Sequence, residues 1–432
     1  MSAELYSAKE KKQVLTTSFI TVFINVIGIG LVIPTISVLF LKNPSPFFSA
    51  GVSDATRKIL LGIFFASFPI AQFFGAPLLG KLSDRFGRKP MLLISLYGTL
   101  AAYILTAIGI LMGDIWLLFL SRLLDGITGG NISIINSTIA DVSTGPEKRK
   151  NFGLIGAAFG LGFIFGPFLG GKLSDPNFVH WFSFSTPFLF AAGVTALNII
   201  LAYRFYQETL DKNTREEAKT HKGINPFSGV KNISKAFLMK DIRNLLIMFF
   251  VFVLGFTFFT QFFQVYLIDV FKFNQSQIGD FFAVFGLFGA FSQGFLVRKL
   301  SDKISTIATL TVTMLGFSLL LLVALLPRNI LYLYLVIMLL AIIQAFNQPN
   351  ITTLISDSAD IKRQGEILGV QQSVRSVGMA IPPLAAGVLS AISPALPTIT
   401  AAACAFLGWL IFVTIIAPRI RRGEHPASHA HH

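Results

Sequence analysis

Arg122 and Asp125 are two charged side chains inside an otherwise apolar stretch, IWLLFLSRLLDGIT (115–128). Residues three positions apart on a helix lie on the same face, so the guanidinium and the carboxylate can touch. Burial favours the neutral form of an acid, whereas a nearby arginine favours its carboxylate. An acid between these two influences could take up and release a proton when a rearrangement disturbs the arginine. The alternative is a fixed structural ion pair.

A second group of candidate residues consists of neutral amides and one arginine in other apolar stretches. Polar groups of this kind, set among apolar and aromatic side chains, are typical of cavities that bind amphipathic, partly apolar molecules. The arginine could meet an anionic group of a ligand, or it could pair with water near one end of its stretch. We predict substrate-binding residues at Asn25, Gln261, Gln264, Gln344, Asn347, Gln371 and Arg375.

The stretches that carry these residues are long enough to cross a bilayer, which takes about 20 residues of helix. The chain has 432 residues, of which 53% are hydrophobic and 13% charged, and a soluble protein carries about twice that charged fraction. A transmembrane β-barrel would show short alternating segments instead. We predict an all-α membrane protein with twelve spans, near 13–41, 59–79, 91–112, 115–139, 152–174, 183–206, 243–268, 277–297, 305–327, 330–355, 364–390 and 396–417.

The distribution of positive charge predicts the orientation of these spans. The formal net charge is +14, and most Lys and Arg residues fall in the loops on the side of the N-terminus. The positive-inside rule makes that side cytoplasmic, so both termini are predicted to be cytoplasmic. Because topology alone requires this excess, we predict no nucleic-acid partner. The basic residues on the opposite side are few: Lys42, Arg57, Lys58, Lys172, Lys272 and Arg328.

Several features exclude other classes of function. The first apolar run is too long to be the core of a cleavable signal peptide. The single cysteine, Cys404, cannot form an internal disulfide. The closing EHPASHAHH could bind a metal, but we interpret it as a disordered end or a tag. No phosphate-binding loop, metal-ligand cluster or nucleophile triad is recognisable, so we predict no cofactor, no metal site and no enzyme.

The chain consists of two related halves. RKLSDKIS (298–305) follows the eighth span just as GKLSDRFG (80–87) follows the second. A parallel repeat of six spans predicts two six-helix bundles, related by a pseudo-two-fold axis, that face a central cavity. A third KLSD, at 172–175, faces the other side, and we interpret it as a coincidence. We predict an N-terminal bundle (1–206), a cytoplasmic linker (207–242), a C-terminal bundle (243–418) and a disordered tail (419–432).

Three motifs resemble those of the major facilitator superfamily, and the resemblance covers nearly the whole chain. GKLSDRFGRKP (80–90) is similar to the superfamily loop between helices 2 and 3 at all its defining positions. SRLLDGITGG (121–130) resembles the fourth-helix motif with its intramembrane arginine, and GFIFGPFLGG (162–171) resembles the fifth-helix antiporter motif. VIGIGLVIP (26–34), with the KRKNFG and KRQGEILG segments, further resembles the tetracycline/proton antiporter branch of the twelve-helix drug exporters.

The first motif implies a conformational latch. In the family, its carboxylate binds the N-terminus of a neighbouring helix while the arginines pair with an acid at the end of helix 4. The corresponding residues here would be Asp84 with the eleventh helix, near Gln364, and the arginines with Asp141. The repeat in the second half keeps Asp302 but loses both glycines, which indicates a degenerate latch or an inert loop. The latch residues are Gly80, Asp84, Arg85, Gly87, Arg88, Asp141 and Asp302.

The antiporter motif implies exchange rather than symport, although helix packing alone is the alternative. Its residues are Gly162, Gly166, Pro167, Gly170 and Gly171. One position departs from the branch pattern, because Asn25 replaces the helix 1 aspartate of tetracycline exporters and cannot cycle a proton. We interpret Asp125 as the acid that takes over this role. Without such a relocation the protein would not be coupled to protons.

The resemblance implies a secondary active transporter of the inner membrane. We predict a monomeric, proton-coupled antiporter that exports small amphipathic, drug-like organic molecules by alternating access within the lipid bilayer. One alternative keeps the fold but is not proton-coupled, as in lipid or sugar transport. Another is a non-transporting membrane sensor or scaffold, which would need neither the latch nor the antiporter motif.

Overall fold

The computed structural model of this chain describes residues 7–42, 44–49, 51–143, 145–211, 215, 242–300, 303–326, 329–357 and 364–422. Across this part of the chain the regular structure is helical, and no strand is present. Eleven helices of the described residues are long and apolar enough to cross a membrane. They coincide with eleven of the twelve predicted spans, so the prediction of an all-α, multi-pass membrane protein is confirmed.

The described residues of the first half form seven α-helices. The first begins at a capping box, in which the Ser7 hydroxyl accepts from the Glu10 N–H while the Glu10 carboxylate accepts from the Ser7 N–H. This box satisfies backbone donors that the helix itself leaves open. The helices are α1 (Ala8–Leu41), α2 (Asp54–Phe86), α3 (Arg88–Met112), α4 (Ile115–Thr128), α5 (Ile132–Val142), α6 (Gly145–Leu173) and α7 (Thr186–Phe205).

The second half repeats this pattern of long helices. Two π-helical segments of the described residues continue the helices that precede them: Ser292–Val297 and Phe412–Ile416. The helices are α8 (Arg243–Phe271), α9 (Gln275–Phe291), α10 (Arg298–Leu300), α11 (Thr306–Val323), α12 (Ile330–Asp357), α13 (Gln364–Ile392), α14 (Leu396–Ile411) and α15 (Ala417–Arg421).

The predicted fourth span is not one continuous helix. A 3₁₀ turn, Gly129–Asn131, separates α4 from α5. At Gly130 a Cβ atom would lie 2.6 Å from the Cα of Ala76 in α2, so only glycine allows the two backbones this close. A stretch of 3₁₀ helix in the middle of a span often marks a functional hinge.

The chain divides into two compact units. Unit 1 comprises Met1–Gly51, Ser67–Ser228 and Gln275–Asp280, and unit 2 comprises the rest. In unit 1, α1 packs most extensively against α6, around a buried aliphatic cluster that includes Val26, Leu92 and Ile134. The core of unit 2 is aromatic. The ring of Phe317 in α11 lies 5.7 Å from that of Phe252 and 6.4 Å from that of Phe259, both in α8.

The short loop predicted to carry Asp84, Arg85 and Arg88 is shorter still in the structure. Helix α2 continues to Phe86 and α3 starts at Arg88, so Gly87 alone joins them. Its φ of 108° lies in the region that glycine occupies freely and other residues avoid. Hydropathy located the apolar part of each helix, but polar turns continued the helices beyond it.

Candidate functional site

The charged pair of the fourth span is buried in unit 1. The Arg122 Nη1 donates to the Asp125 Oδ2 at 3.1 Å, and each residue is 5% exposed. The Arg122 guanidinium also lies over the ring of Phe68 in α2, 4.6 Å from its centroid. An aromatic face at this distance attracts a cation. The arginine is thus held between a carboxylate of its own helix and an aromatic ring of α2.

The surroundings of the pair come from α1 and α3. The Tyr103 side chain is 3% exposed and interacts electrostatically with both Asp125 and Arg122. It lies directly over Gly28, where a Cβ atom would be 1.5 Å from the Tyr103 hydroxyl oxygen. The absence of a side chain at Gly28 therefore makes room for the one phenol beside the pair that the described residues show.

Asn25 in α1 forms a hydrogen bond that the sequence did not predict. Its Nδ2 donates to the Oδ1 of Asn131, which is fully buried in the 3₁₀ turn between α4 and α5. The distance is 2.8 Å. The other amide atoms, Asn25 Oδ1 and Asn131 Nδ2, are buried and lack a partner in the described structure. An acceptor and a donor thus remain open at the point where the fourth span is interrupted.

Replacing Asn25 by alanine is expected to destabilise the protein. The Asn131 amide would lose its partner, which costs about 1–3 kcal/mol for a buried polar group. Asn25→Asp should cost less, because burial favours the neutral carboxyl, whose O–H can donate to the Asn131 Oδ1 as the amide does. Thermal unfolding of the purified variants in detergent measures the difference. If alanine leaves the Tm unchanged while aspartate lowers it, the hydrogen bond does not support the helix.

The predicted latch is a compact cluster around Arg88. This side chain is 5% exposed, and its Nε lies 3.1 Å from the Asp141 Oδ2 at the end of α5. Its Nη1 lies 2.5 Å from the Asp84 Oδ1 and donates to the Ser83 hydroxyl at 2.7 Å. Three hydrogen bonds from one guanidinium join the end of α2, the start of α3 and the end of the fourth span.

The remaining latch positions lie close by, except for the copy in the second half. Gly80 faces Ser133 of α5, and Arg85 lies over the ring of Phe86 at 5.6 Å. Beyond the apolar part of the fourth span, burial raises the pKa of the Asp141 carboxyl, an effect that Arg88 opposes. Asp302 lies outside the described residues.

Glu208 belongs to the Arg88 cluster, and sequence inspection missed it. Its carboxylate accepts from the backbone N–H of Arg88 at 2.8 Å and from that of Lys89 at 3.2 Å. These are the first N–H groups of α3, where a negative charge is favourable. The neighbouring Thr209 hydroxyl donates to Asp141 at 3.1 Å. The only available signal was an acid after the sixth span, and we assigned this segment to the linker.

The antiporter motif is the surface with which α6 crosses α1. A Cβ atom at Gly166 would lie 2.8 Å from the Cα of Gly30, and one at Gly170 would lie 2.6 Å from the carbonyl oxygen of Leu31. At Gly162 the neighbour is Val26, at 2.6 Å. Small residues allow helices to approach this closely in lipid. Pro167 lies within α6 between these contacts.

Gly166→Ala is therefore expected to destabilise unit 1. The added methyl group would meet backbone atoms of α1, which cannot rotate away, and overpacking of this kind costs about 1–3 kcal/mol. Gly156→Ala is the matched control, because it lies on the same helix with no heavy atom within 4 Å of the new Cβ. Thermal unfolding should show a lower Tm for the first variant only. Equal Tm values would show that the close approach of α6 to α1 does not limit stability.

The last glycine of the motif contacts a different helix. A Cβ at Gly171 would lie 3.0 Å from the Cα of Gly279 in α9. The adjacent Lys172, in the KLSD copy that we interpreted as a coincidence, forms an ion pair with Asp280 at 2.8 Å. In unit 2, a Cβ at Gly387 would lie 3.2 Å from the Cα of Gly62. The repeat thus extends to these glycine contacts.

Some of the amides predicted to bind substrate are hydrogen-bonded to other side chains, whereas others have an oxygen without a partner in the described structure. The Thr313 hydroxyl donates to the Asn347 Oδ1 at 2.7 Å, and the Asn347 Nδ2 donates to the Gln344 Oε1 at 3.2 Å. By contrast, the side-chain oxygens of Gln261 and Gln264 in α8 are buried without a partner in the described structure. The open oxygens are acceptors that a ligand donor could use.

Helix α13 carries the two remaining candidates. The Gln371 Nε2 donates to the Thr352 hydroxyl at 3.3 Å. Arg375, one turn later, is partly buried in the apolar span Val370–Ile392. No group of three or more His, Cys, Asp or Glu residues that could hold a metal ion occurs in the described part of the chain.

Comparison with known proteins places these features in a family. The model of the Major Facilitator Superfamily matches residues 18–383. The tetracycline resistance protein of class C from Escherichia coli is 29% identical over 93% of this chain and 95% of its own length. The class B protein from Escherichia coli is 32% identical over 66% of each chain.

A solved structure has a similar fold. That of the human organic anion transporter MFSD10 (TETRAN) has a TM-score of 0.69 and 21% identity, and the match covers 93% of this chain and 99% of that one. The family match spans the fourth-helix pair, the latch cluster and the α1–α6 crossing together. This chain belongs to the Major Facilitator Superfamily of membrane transporters.

Proposed function

We propose that this transporter is a proton-coupled antiporter that exports small amphipathic organic molecules. The observation that carries the proposal is the buried contact between Asp125 and Arg122. A charged pair inside a membrane span is costly and is usually retained for ion or proton movement. Among the acids of the described structure, Asp125 is the one located in the middle of a span. The tetracycline resistance proteins among its relatives support drug-like substrates.

The direction and orientation follow from the same proposal. With both termini on the cytoplasmic side of the inner membrane, protons enter the cytoplasm as the substrate leaves it. The Arg88 cluster would stabilise one conformation by joining α2, α3 and α5, and release it when the transporter changes state. The proposed working unit is a monomer, and Asn25, Gln261, Gln264, Gln344, Asn347, Gln371 and Arg375 would line the substrate path.

Proton movement on addition of substrate tests this function. Everted membrane vesicles with an imposed pH gradient, monitored with a pH-sensitive dye, should release protons when a transported compound is added. A panel of drugs, sugars and lipids identifies the substrate class, and vesicles without the protein provide the control. Substrate uptake that never moves protons would contradict antiport and would favour facilitated transport, to which the asparagine at position 25 already points.

A further inference from the structure

Arg375 differs in its surroundings from four other cations of the helices. Each of these four has a carboxylate within 3.1 Å: Lys58, Arg88, Arg122 and Lys172. For Arg375, which is partly buried in its span, the structure shows no ion pair with a described residue. Its guanidinium is thus a positive charge within a span for which the described structure shows no counter-charge.

The sequence of the last two spans explains this isolation. From Ile367 to Gly423 the chain contains no aspartate or glutamate. In unit 2, Asp269 of α8 is already paired with Lys58 at 2.7 Å. An arginine side chain remains protonated throughout the physiological pH range. The charge therefore persists, and from Ile367 onwards α13 and α14 provide no carboxylate to compensate it.

The residues beside Arg375 favour a ligand with both polar and apolar parts. Gln371 and Gln372 precede it by four and three positions, so they lie on the same face of α13. Both are neutral amides, and Gln371 is held by its bond to Thr352. A planar guanidinium binds a carboxylate through two parallel hydrogen bonds, and neutral amides can orient the rest of the molecule.

We propose that Arg375 is the binding partner of an anionic group on the transported molecule, so that the substrate is an organic anion with a carboxylate or a similar acidic group. This inference rests on the proposed transport function and adds the charge of the substrate to it. The alternative is an arginine that extends towards water at the membrane boundary and contacts no ligand.

Direct binding to the purified full-length protein tests this assignment without requiring transport. The probes are fluorescein, which is an organic anion, and a rhodamine ester, which has the same ring system and a positive charge. Fluorescence polarisation should show that the wild type binds fluorescein more tightly. Arg375→Gln should raise the Kd for fluorescein about tenfold or more, the loss expected for a charged hydrogen-bonded contact. The rhodamine Kd should not rise.

Two further variants separate a specific contact from a general effect of charge. Arg375→Lys keeps the charge but loses the two-pronged geometry, so its Kd should lie between those of the wild type and Arg375→Gln. Arg419→Gln removes one positive charge from an exposed position of α15 and should bind fluorescein like the wild type. Thermal unfolding without probe shows whether each variant is folded.

The outcomes of the two proposals are distinguishable. Equal fluorescein binding by the wild type and Arg375→Gln would overturn the assignment of Arg375. Failure of the wild type to bind fluorescein, naphthalene sulfonate and benzoate would overturn it as well. If binding depends on Arg375 but no protons move in vesicles, the anion site stands and the proton-coupled function falls.

Discussion

Replacing Asp125 by asparagine is expected to abolish proton-driven transport while leaving exchange intact. Asparagine has nearly the same size and can still accept a hydrogen bond from Arg122, but it cannot take up or release a proton. In everted vesicles, uptake driven by a pH gradient should therefore fall to the level of vesicles without the protein. Counterflow, in which labelled substrate exchanges for unlabelled substrate, should continue because it needs no net proton movement.

A matched control lies on the same helix. Asp114 caps the start of α4, where its carboxylate accepts from the N–H of Trp116 at 2.8 Å. Asparagine is an equally good cap, so Asp114→Asn removes an acid without disturbing the helix. This variant should retain uptake close to that of the wild type. Undiminished proton release by Asp125→Asn upon addition of substrate would make Asp125 a structural partner of Arg122.

Replacing Asp84 by asparagine is expected to remove most transport with little loss of stability. The Asp84 side chain is 51% exposed, and the buried Arg88 keeps its ion pair with Asp141 in this variant. The expected loss of folding free energy is therefore only about 0–1 kcal/mol. The effect on transport is larger because the resemblance assigns this carboxylate to one conformational state. Loss of the carboxylate therefore changes the equilibrium between this conformational state and the others. Initial transport rates, together with the amount of protein in the membrane and its Tm, measure the two effects separately.

The repeat supplies the comparison for this prediction. Asp302→Asn removes the corresponding acid of the second half and should have a milder effect, because that copy lacks the glycines and the distal basic pair. Normal transport by Asp84→Asn would show that this carboxylate does not act as a latch. An equal loss in both variants would mean that the second copy is not degenerate.

The spans and the family could be predicted from local sequence. Hydropathy depends on composition over about 20 residues, so it located the apolar helices without knowledge of their neighbours. Hydropathy did not indicate the interruption at Gly129–Asn131, because an average over a whole span does not register three residues. In the structure Gly130 lies against the backbone of Ala76 in α2, which is a tertiary contact.

The contacts of the candidate site are likewise of two kinds, those within one helix and those between distant parts of the chain. Arg122 and Asp125 were predicted to touch because they lie one helical turn apart, and their separation is set by local geometry. The partners Asn131 of Asn25 and Glu208 of Arg88 come from more than a hundred positions away. An asparagine in a span and an acid after one have no distinguishing pattern, so sequence inspection could not select them.

The sequence alone determined a membrane protein of twelve apolar segments, its superfamily, and the two charges of the fourth span. These properties reside in composition, short motifs and spacing along one helix, which need no knowledge of packing. Only the tertiary structure decided which glycines meet and which distant residues are the partners of Asn25 and of the backbone N–H of Arg88. The reason is that both depend on how closely distant helices approach, and that distance is set by side chains on both sides of each contact.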